Sequence, residues 1–502
     1  MAAVPDRPAT LGIDVGTSAL KGVLLGEDGA VLESMAVEYP LLSPRPGWSE
    51  QDPRSWWEAC CRVCRALAAK AGGRIAAVGL SGQMHGSTFL DAGGEPIRPA
   101  LLWNDARTGE QCNEIERRLG VERLIAIAGN RASAGFQAPK ILWLRQNEPE
   151  AHARIEQVLL PKDFIRFRLT GDRATDAADA SGTLLLDLAG RRYSDELLAA
   201  LEIPRGWLPE VFESAEVTGR VSAAGAEATG LPAGIPVVAG GADNACAAVG
   251  AGIIARGQGV CSLGTSGTIF VHADRPLIDP LGALNGFCAC TPDGWHSMGV
   301  ILSAGGALRW YRDAVMTGLG DDGRDVFEML IAQADEVAPG ADGVLFQPYL
   351  SGERAPHLDP NARAAWVGLS LAHDRRHMVR ALVEGVGYAL NDCLGRMRRM
   401  GAEPPGLVLV GGGARSPVWR RILAAQLDLA LEIRAAQEGP ALGAAILAAV
   451  GAGLQPDLAT AVARSVPSRG RIETPDAELA VLYRRLHGRW ARLYPALQAA
   501  LA

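Results

Sequence analysis

The sequence predicts a two-domain α/β protein in which mixed sheets flanked by helices meet at a cleft. Its length is the first reason, because 502 residues are too many for one hydrophobic core. The second reason is a strand–turn–strand pattern with Gly-Thr-Ser at the turn, found near residues 14–18 and again near residues 262–266. A third is a glycine-rich strand-to-helix turn at residues 411–413. We place the domains at residues 1–247 and 248–502.

The first domain opens with a β-hairpin. The stretch "LGIDVGTSALKGVLLGEDGAVLES" alternates as two strands around Gly16-Thr17-Ser18, and Asp28-Gly29 marks the next turn. The stretch "IAAVGLSGQMHG" predicts a short buried strand that runs into a loop. Apolar periodicity and proline positions predict helices over about 53–70, 107–119, 137–147 and 161–170.

An isolated acid follows the next apolar strand, in "VVAGGADNACAAVGAG". Asp243 and Asn244 stand there among glycine and alanine, just before a helix of small residues. Helix capping is the ordinary reason for such residues, because both serve as N-caps. The alternative is a chemical role, since so bare a turn lets a substrate approach the carboxylate. The stretch alone leaves both open.

The second half repeats the N-terminal layout. In "GVCSLGTSGTIFVHAD" the same turn returns, with Ser262 where the first copy has Asp14. Two domains that share one nucleotide need only one acid to anchor its metal. Further on, an apolar strand at residues 407–410 meets Gly411-Gly412-Gly413 and then a helix, a natural place for an anion or adenosine. The chain has neither a P-loop nor a dinucleotide-binding fingerprint, so any nucleotide chemistry is of another kind.

Composition excludes several classes of function. Hydrophobic residues make up 48% and charged residues 21%, and the net charge of −7 comes without a basic block, which argues against nucleic-acid binding. The nine cysteines are scattered. Cys61-x-x-Cys64 lies in a helical stretch without a partner pair at zinc spacing, so we interpret it as core packing in a reducing compartment. We see no signal peptide and no membrane-length apolar run, and expect a cytoplasmic protein without a membrane partner.

These elements suit transfer of a phosphoryl group to an alcohol. That reaction needs donors for the phosphates, a metal that bridges them and a base for the hydroxyl proton. The two turns offer amides and hydroxyls, and Lys21 adds a cation. Asp14, in a buried strand, would hold Mg²⁺ directly or through water, with a structural hydrogen-bond acceptor as the alternative. Asp243 would be the base.

A family resemblance covers nearly the whole chain, from residue 12 to about residue 450. The sequence resembles the FGGY carbohydrate kinases, and most closely their bacterial xylulokinase branch. The matching stretches are, in family order, "GIDVGTSALKGVLL", "WSEQDPRSWWEA", "SGQMHGSTFLD", "LLWNDAR", "GFQAPKILWL", "LLPKDFIRFRLTG", "GGADNACAAVG", "SLGTSG", "PYLSGERAPH", "ALVEGVGYAL" and "GGGARSPVWRRILA".

The resemblance implies two domains of the ribonuclease-H-like, actin-like ATPase type, as in hexokinases. The first would bind the sugar and the second ATP. It also implies ATP- and Mg²⁺-dependent phosphorylation of D-xylulose to D-xylulose 5-phosphate. The partner is thus a small-molecule sugar, and the oligomeric state is left open, with a homodimer as one alternative.

Site residues carry over by position. Asp243 matches the catalytic base. The sugar-binding positions are Gln83, Met84, His85, Trp103, Asn104, Asp105 and Asn244. The nucleotide-binding positions are Asp14, Thr17, Ser18, Lys21, Gly264, Thr265, Gly305, Gly412 and Gly413, with Asp14 also at the metal.

Some of these residues also have ordinary structural interpretations. A lone tryptophan such as Trp103 is more often core, and His85 could be a satisfied loop histidine. Gln137 departs from the family pattern, which has a small hydroxyl residue or proline there. Glu353 and Arg354 are interpreted as a structural ion pair or a cleft-edge loop.

Three rival functions stay open. The nearest is a kinase for another sugar or polyol, such as ribulose, gluconate or glycerol; Gln83-Met84-His85 favours xylulose. The second is an actin-like, nucleotide-switched binding or filament protein, which would give the Asp243 turn no role. The third is an inactive sugar sensor, against which Asp14, Thr17 and Asp243 argue.

Overall fold

Two seven-stranded mixed sheets form the centres of the two halves of the chain. The computed structural model describes residues 7–316, 326–434, 439–466 and 470–501. The strands of the first sheet are β1 Ala9–Val15, β2 Ala19–Gly26, β3 Val31–Glu38, β4 Ile75–Gly82, β5 Val217–Arg220, β6 Pro236–Val238 and β7 Gly241–Ala242. Those of the second are β8 Gly259–Leu263, β9 Gly267–Ala273, β10 Asn285–Cys288, β11 Trp295–Ile301, β12 Gly406–Val410, β13 Ala430–Ile433 and β14 Arg471–Glu473.

The two sheets share one layout at their centres. In the first, ordered β5-β6-β4-β1-β2-β3, the β1–β2 hairpin is antiparallel and β4 runs parallel to β1; β7 also pairs with β4. In the second, ordered β10-β11-β9-β8-β12-β13-β14, the β8–β9 hairpin is antiparallel and β12 runs parallel to β8. The repeat predicted from the two Gly-Thr-Ser turns is therefore present in three dimensions.

Helices cover both sheets. Those named below are α1 Pro53–Ala71, α2 Pro161–Thr170, α3 Ala177–Ala180, α4 Asp243–Gly250, α5 Arg375–Arg399, α6 Pro417–Leu427 and α7 Pro440–Gly451. The other α-helices are Gly109–Leu119, Val121–Ala128, Gln137–Asn147, Pro149–His152, Asp195–Leu201, Ala223–Thr229, Gly305–Trp310, Val326–Asp335, Leu458–Ser465, Ala477–Trp490 and Leu493–Leu501. Short strand pairs outside the large sheets join Glu50–Gln51 to Ala100–Leu101, Thr88–Leu90 to Gln157–Leu159, Ala174–Asp176 to Glu210–Phe212, Leu186–Asp187 to Arg192–Tyr193, and Leu345–Gln347 to Ala365–Val367.

Local signals set the ends of α1. The Asp52 side chain accepts a hydrogen bond from the N–H of Arg54 at the N-terminus, and Pro53 occupies the first turn. Gly72 ends the helix in the left-handed conformation at φ +60°. The predicted helix is therefore confirmed at both ends within one residue.

Helix α7 comes from the second half of the chain but packs on the first sheet. The Thr10 hydroxyl donates to the carbonyl of Ala445 over 2.9 Å. A Cβ at Gly12 would lie 1.9 Å from the Ala441 carbonyl oxygen, and one at Gly79 would lie 1.9 Å from that of Ala444. Glycine at these strand positions thus lets the helix backbone lie directly on the sheet. A boundary at residues 247/248 does not capture this exchange, and the domain limits stay a prediction.

All nine cysteines lie in the described structure as free thiols. Of the predicted pair, Cys64 is buried in the core against the first sheet, so its packing role is confirmed, whereas Cys61 is only partly buried and is not part of that core. Within the described ranges, no helix is long and apolar enough to cross a membrane.

Candidate active site

Three parallel strand ends bring two carboxylates together. Asp14 on β1 lies opposite Ser81 on β4, and Ser81 lies opposite Gly241 on β7. Asp243 follows β7 directly as the first residue of α4. Because the carboxyl ends of neighbouring parallel strands share one edge of a sheet, ligands commonly bind there. The predicted base and the predicted metal-binding acid therefore lie at the same edge.

Asp14 lies partly buried at this edge. Burial and the negative charge of Asp243 raise its pKa to about 7, opposed in part by the neighbouring Ser81 hydroxyl and, less, by Lys21 across the hairpin. Its Oδ1 is buried and has no hydrogen-bond partner among the described residues. A carboxylate that is expensive to ionise and lacks a partner suits a cation.

Asp243 does not cap its helix in the usual way. Ala242 occupies the N-cap, and the Asp243 Oδ1 accepts only from the N–H of its neighbour Asn244, at 2.7 Å. Burial raises the pKa of Asp243 to about 6, against the opposing effect of that hydrogen bond. A carboxylate that titrates near neutral pH has the basicity of an efficient general base. The capping alternative is therefore weaker than the chemical one.

A hydrogen-bonded chain joins the first turn to the sugar-side segment. The Thr17 hydroxyl donates to Gln83 Oε1 over 3.1 Å, and Gln83 Nε2 donates to Gln51 Oε1 over 3.0 Å. Trp103 Nε1 donates to the Thr17 hydroxyl over 3.0 Å, while its side chain stays 45% exposed. The indole of Trp103 is exposed and held by its N–H beside the Gly-Thr-Ser turn, so Trp103 is not a core residue. Its ring is accessible to a ligand.

His85 presents a hydrogen-bond acceptor. Its Nδ1 lies 2.7 Å from the carbonyl oxygen of Gly182, and because a carbonyl only accepts, Nδ1 carries the hydrogen. Nε2 is left as an acceptor. Burial lowers the pKa of His85 well below its usual value, with smaller effects from the charges of Lys140 and Arg354. The residue also holds φ at +69°, a conformation that costs energy in a non-glycine residue.

Side chains that the sequence did not single out hold this segment in place. The buried Lys140 donates to the carbonyl of His85 over 2.9 Å and to that of Gly135 over 2.6 Å. Gln137, the departure from the family pattern, donates to the carbonyl of Gly86 over 3.2 Å. Met84 lies close to His85 at Gly182, where a Cβ would come 3.0 Å from its Cε. A lysine inside an apolar helix was the available signal for Lys140.

The other predicted sugar-side residues differ in whether their polar atoms are already hydrogen-bonded within the protein. Asn244 Nδ2 donates weakly to Met298 Sδ at 3.6 Å, and its buried Oδ1 has no partner among the described residues. Asn104 is exposed. Asp105 is engaged within its own half: one oxygen accepts from the Ser49 N–H at 2.7 Å, and both pair with the Arg107 guanidinium. Its geometry supports a positioning role, and its contact with a sugar stays a prediction.

The predicted nucleotide-side residues converge in the second half. The Gly305 N–H donates to the Gly264 carbonyl over 2.8 Å, and the N–H of Ala304 donates to the Thr265 carbonyl over 2.9 Å. Gly411 adopts φ +93°, and a Cβ there would lie 2.6 Å from the Leu263 carbonyl oxygen. The turns at residues 264–265, 305 and 411–413 therefore form one backbone-lined surface. Gly412 faces open space, and Gly413 packs on Leu263.

A buried ionic cluster lies behind the Asp243 turn. Lys162 Nζ lies 2.5 Å from Asp163 Oδ1 and 2.8 Å from Asp176 Oδ1, with Asp179 at 3.7 Å. All four side chains are almost completely buried. The ammonium also donates to the Ala239 carbonyl at 3.4 Å, on the segment that leads to Asp243. The Lys-Asp pair inside the apolar stretch "LLPKDF" was a signal for such a cluster.

Glu353 and Arg354 do not pair with each other. Glu353 Oε1 accepts from the backbone N–H groups of Leu302 at 3.0 Å and of Arg354 at 2.7 Å. Burial raises the pKa of Glu353 to about 8. The Arg354 guanidinium has no hydrogen bond or ion pair to a described residue. Of the two earlier interpretations, the ion pair is wrong.

Comparison with known proteins identifies the family. The model of the FGGY family of carbohydrate kinases, N-terminal domain, matches residues 9–250, and that of the C-terminal domain matches residues 259–452. The chain belongs to the FGGY family of carbohydrate kinases. It is 41% identical to a xylulose kinase of Escherichia coli over 98% of this chain and 100% of the relative.

Solved structures of FGGY kinases agree with the fold. A xyloylose kinase from Brucella ovis superposes with a TM-score of 0.91 at 38% identity, covering 98% of this chain and 100% of the other. A gluconate kinase from Lactobacillus acidophilus superposes with a TM-score of 0.93 at 27% identity, covering 99% of each chain. The expected two-domain, actin-like α/β architecture is confirmed, and the protein is a carbohydrate kinase that uses ATP.

Proposed function

We propose that this protein transfers the γ-phosphoryl group of ATP to the 5-hydroxyl of D-xylulose. The observation that carries the proposal is the position of Asp243, at the strand edge it shares with Asp14. The sugar-side segment around His85 also belongs to this half, whereas the glycine-lined surface lies in the other. Full-length similarity to xylulose kinases supports the choice of acceptor.

Asp243 acts as the general base. Its carboxylate takes the proton of the 5-hydroxyl as the oxygen attacks phosphorus, which requires the ionised form. A pKa of about 6 leaves this carboxylate largely ionised at neutral pH and still basic enough to accept the proton. Asn244, next in the chain, offers its amide to the sugar.

The second half holds the nucleotide. The turns at Gly264, Thr265 and Gly305 form the phosphate side, where the N–H groups of Gly264 and Gly305 donate to carbonyls and thereby fix the turns, and Gly412 and Gly413 line the adenosine. Thr17, Ser18 and Lys21 of the first hairpin complete the phosphate site. This division assigns the sugar to residues 1–247 and ATP to residues 248–502, apart from that hairpin.

Asp14 would hold Mg²⁺. The described residues contain no cluster of three or more His, Cys, Asp or Glu side chains suited to a metal. Mg²⁺ characteristically binds through one or two carboxylates together with water and substrate phosphates, and the partnerless Oδ1 of Asp14 fits that mode. When bound, the ion supplies charge neutralisation at the phosphoryl oxygens.

The sugar side selects the acceptor through polar groups already fixed by the fold. His85 and Asn104 offer hydrogen-bonding atoms, Trp103 an exposed ring, and Met84 an apolar wall. Gln83, whose amide is hydrogen-bonded to Thr17 and Gln51, would fix the segment beside the sugar. Asp105 holds the Arg107 region behind them. A site built to hydrogen-bond a hydroxyl rejects analogues that leave its polar groups unpaired.

A coupled ADP-release assay over D-xylulose, D-ribulose, gluconate and glycerol tests the proposal. We expect the highest kcat/KM with D-xylulose, and slow ATP hydrolysis without sugar. A preference for gluconate or glycerol would assign the chain to another branch of the family. Sugar-independent hydrolysis at the full rate would instead favour an actin-like switch.

We also propose a cytoplasmic location, supported by the nine free thiols. A homodimer is the assembly to test, by light scattering of the purified protein.

A further inference from the structure

Arg354 belongs to a loop that runs along the end of β11 in the second sheet. The N–H of Ala355 donates to the carbonyl of Val300 on β11 over 3.1 Å, and the N–H of Leu302, just after β11, donates to Glu353 Oε1 over 3.0 Å. Two residues before Val300, Met298 receives the weak hydrogen bond from Asn244. The loop of the second half therefore lies close to the contact that β11 makes with Asn244 of the first half.

The Arg354 side chain is left without a protein partner. It is only partly exposed, burial lowers its pKa, and its guanidinium makes no hydrogen bond or ion pair within the described ranges. Its neighbour Glu353 accepts from two backbone N–H groups with Oε1, and its Oε2 is buried without a hydrogen-bond partner among the described residues, so neither oxygen pairs with Arg354. A guanidinium carries five donors, and those of Arg354 are left for water or a ligand. The loop backbone is thus held in place, and the Arg354 guanidinium remains available to a ligand.

The charges that act on the site residues indicate which of these residues Arg354 lies near. Its positive charge contributes to the lowered pKa of His85. It is not among the charges that shift the pKa of Asp14 or Asp243. Arg354 therefore lies within electrostatic range of His85, on the β11 side of the cleft, where Met298 contacts Asn244.

The chemistry of the acceptor indicates what is needed there. A 2-ketopentose closes its furanose ring through the 5-oxygen, so a free 5-hydroxyl requires the open chain. The end remote from Asp243 then presents a ketone oxygen, which only accepts hydrogen bonds, next to a hydroxymethyl group, which can donate one. His85 Nε2 supplies an acceptor, and a strong donor is required beside it.

We propose, resting on the proposed function, that Arg354 donates to the ketone oxygen of the open-chain sugar while His85 accepts from the adjacent hydroxyl. The pair selects ketoses over the corresponding polyols. It is a specificity determinant contributed by the ATP-binding half to the sugar site. The sugar would accordingly bridge the two halves.

The test compares D-xylulose with xylitol, its reduction product at the same carbon. Dissociation constants of both are measured by calorimetry, together with kcat/KM for D-xylulose, in wild type, Arg354→Gln and Arg354→Lys. The control is Arg363→Gln in the same loop region, where the guanidinium's hydrogen bonds to described residues go to the carbonyls of Pro360 and Ala362.

We expect Arg354→Gln to weaken D-xylulose binding about 10- to 100-fold, the range for a hydrogen bond to a charged group. Xylitol binding should change by less than about threefold, so the preference collapses. Arg354→Lys should retain part of it, and Arg363→Gln and the KM for ATP should stay as in wild type. Equal losses for both ligands, or no loss for either, would overturn the inference. A wild type inactive on D-xylulose would instead refute the proposed function.

Discussion

Replacing Asp243 by asparagine should remove most of the catalysis and yet stabilise the folded protein at neutral pH. The amide keeps the shape of the carboxylate but cannot accept the proton, and general-base catalysis contributes about 10²- to 10⁴-fold. ATP binding should be almost unchanged, because the nucleotide surface lies in the other half.

The stability effect follows from the raised pKa. Burial shifts the pKa of Asp243 from the ordinary 3.8 to about 6, so the folded state holds this proton more tightly than the unfolded state does. The stability of the wild type therefore falls as the pH rises through that interval. Two pH units correspond to about 3 kcal/mol, and the partial exposure of the side chain to the cleft reduces this to about 1–2 kcal/mol.

Asparagine cannot ionise, so the variant escapes this loss. Its unfolding free energy relative to wild type should rise between about pH 4 and pH 6 and then stay constant. Loss of the Asp243 charge should also lower the pKa of Asp14, which adds stability in the same direction.

Differential scanning fluorimetry at pH 5 and pH 8 measures the effect, alongside the ADP-release assay. Asp274→Asn, at an exposed carboxylate, is the matched control and should shift Tm equally at both pH values. A variant that is less stable than wild type at pH 8, or a Tm difference independent of pH, would refute the burial argument. Near-normal turnover would refute the assignment of the base.

Four further predictions follow from the site. Protons compete with Mg²⁺ for Asp14, whose pKa is raised to about 7, so the Mg²⁺ concentration for half-maximal rate should increase as the pH falls below 7. The substitution Asp14→Ala should raise that concentration sharply and abolish its dependence on pH. An unchanged Mg²⁺ titration would show that Asp14 has only a structural role. His85→Ala should reduce the kcat/KM preference for D-xylulose over glycerol, whereas a proportional loss on both would make His85 a scaffold residue. Lys162→Met leaves buried carboxylates uncompensated and should cost about 3–5 kcal/mol of unfolding free energy, against about 0–1 kcal/mol for Lys70→Met at the exposed pair with Glu33; equal Tm changes would contradict this. Sugar and nucleotide together should close the cleft, and an unchanged radius of gyration in small-angle scattering would exclude that motion.

Local patterns were enough to predict most of the fold. The helices Gln137–Asn147 and Pro161–Thr170 coincide with their predicted ranges, because proline and periodic apolar residues mark them in the sequence itself. The hairpin repeat was likewise visible at its turns. Helix α7 was not among the predicted helices, and its place on the first sheet was not predicted either. Its run of alanine and leucine has no distinct apolar face, so nothing local identifies the surface it covers.

The candidate site divides in a similar way. Asp14 could be predicted because an acid in a buried strand needs a compensating partner, and Asp243 because it follows an apolar strand in a turn of glycine and alanine. Lys140 and Lys162 were missed as supports, although both interrupt apolar stretches. A buried ammonium group needs partners, but the sequence does not show which residues they are. Lys140 donates to the carbonyl of His85 and Lys162 pairs with Asp176, and only the packed structure brings these residues together.

The same reasoning explains why Arg354 was misjudged. Two adjacent residues of opposite charge lead one to predict an ion pair, but the side chains of neighbouring residues in an extended segment point to opposite sides of the chain. Glu353 accepts from the backbone N–H groups of Arg354 and of Leu302 after β11, and no carboxylate of a described residue pairs with the arginine. A charged residue in the sequence needs a partner when it is buried, and the folded protein usually provides one. Where the fold provides no partner for a charged side chain near the catalytic residues, we expect the ligand to be that partner.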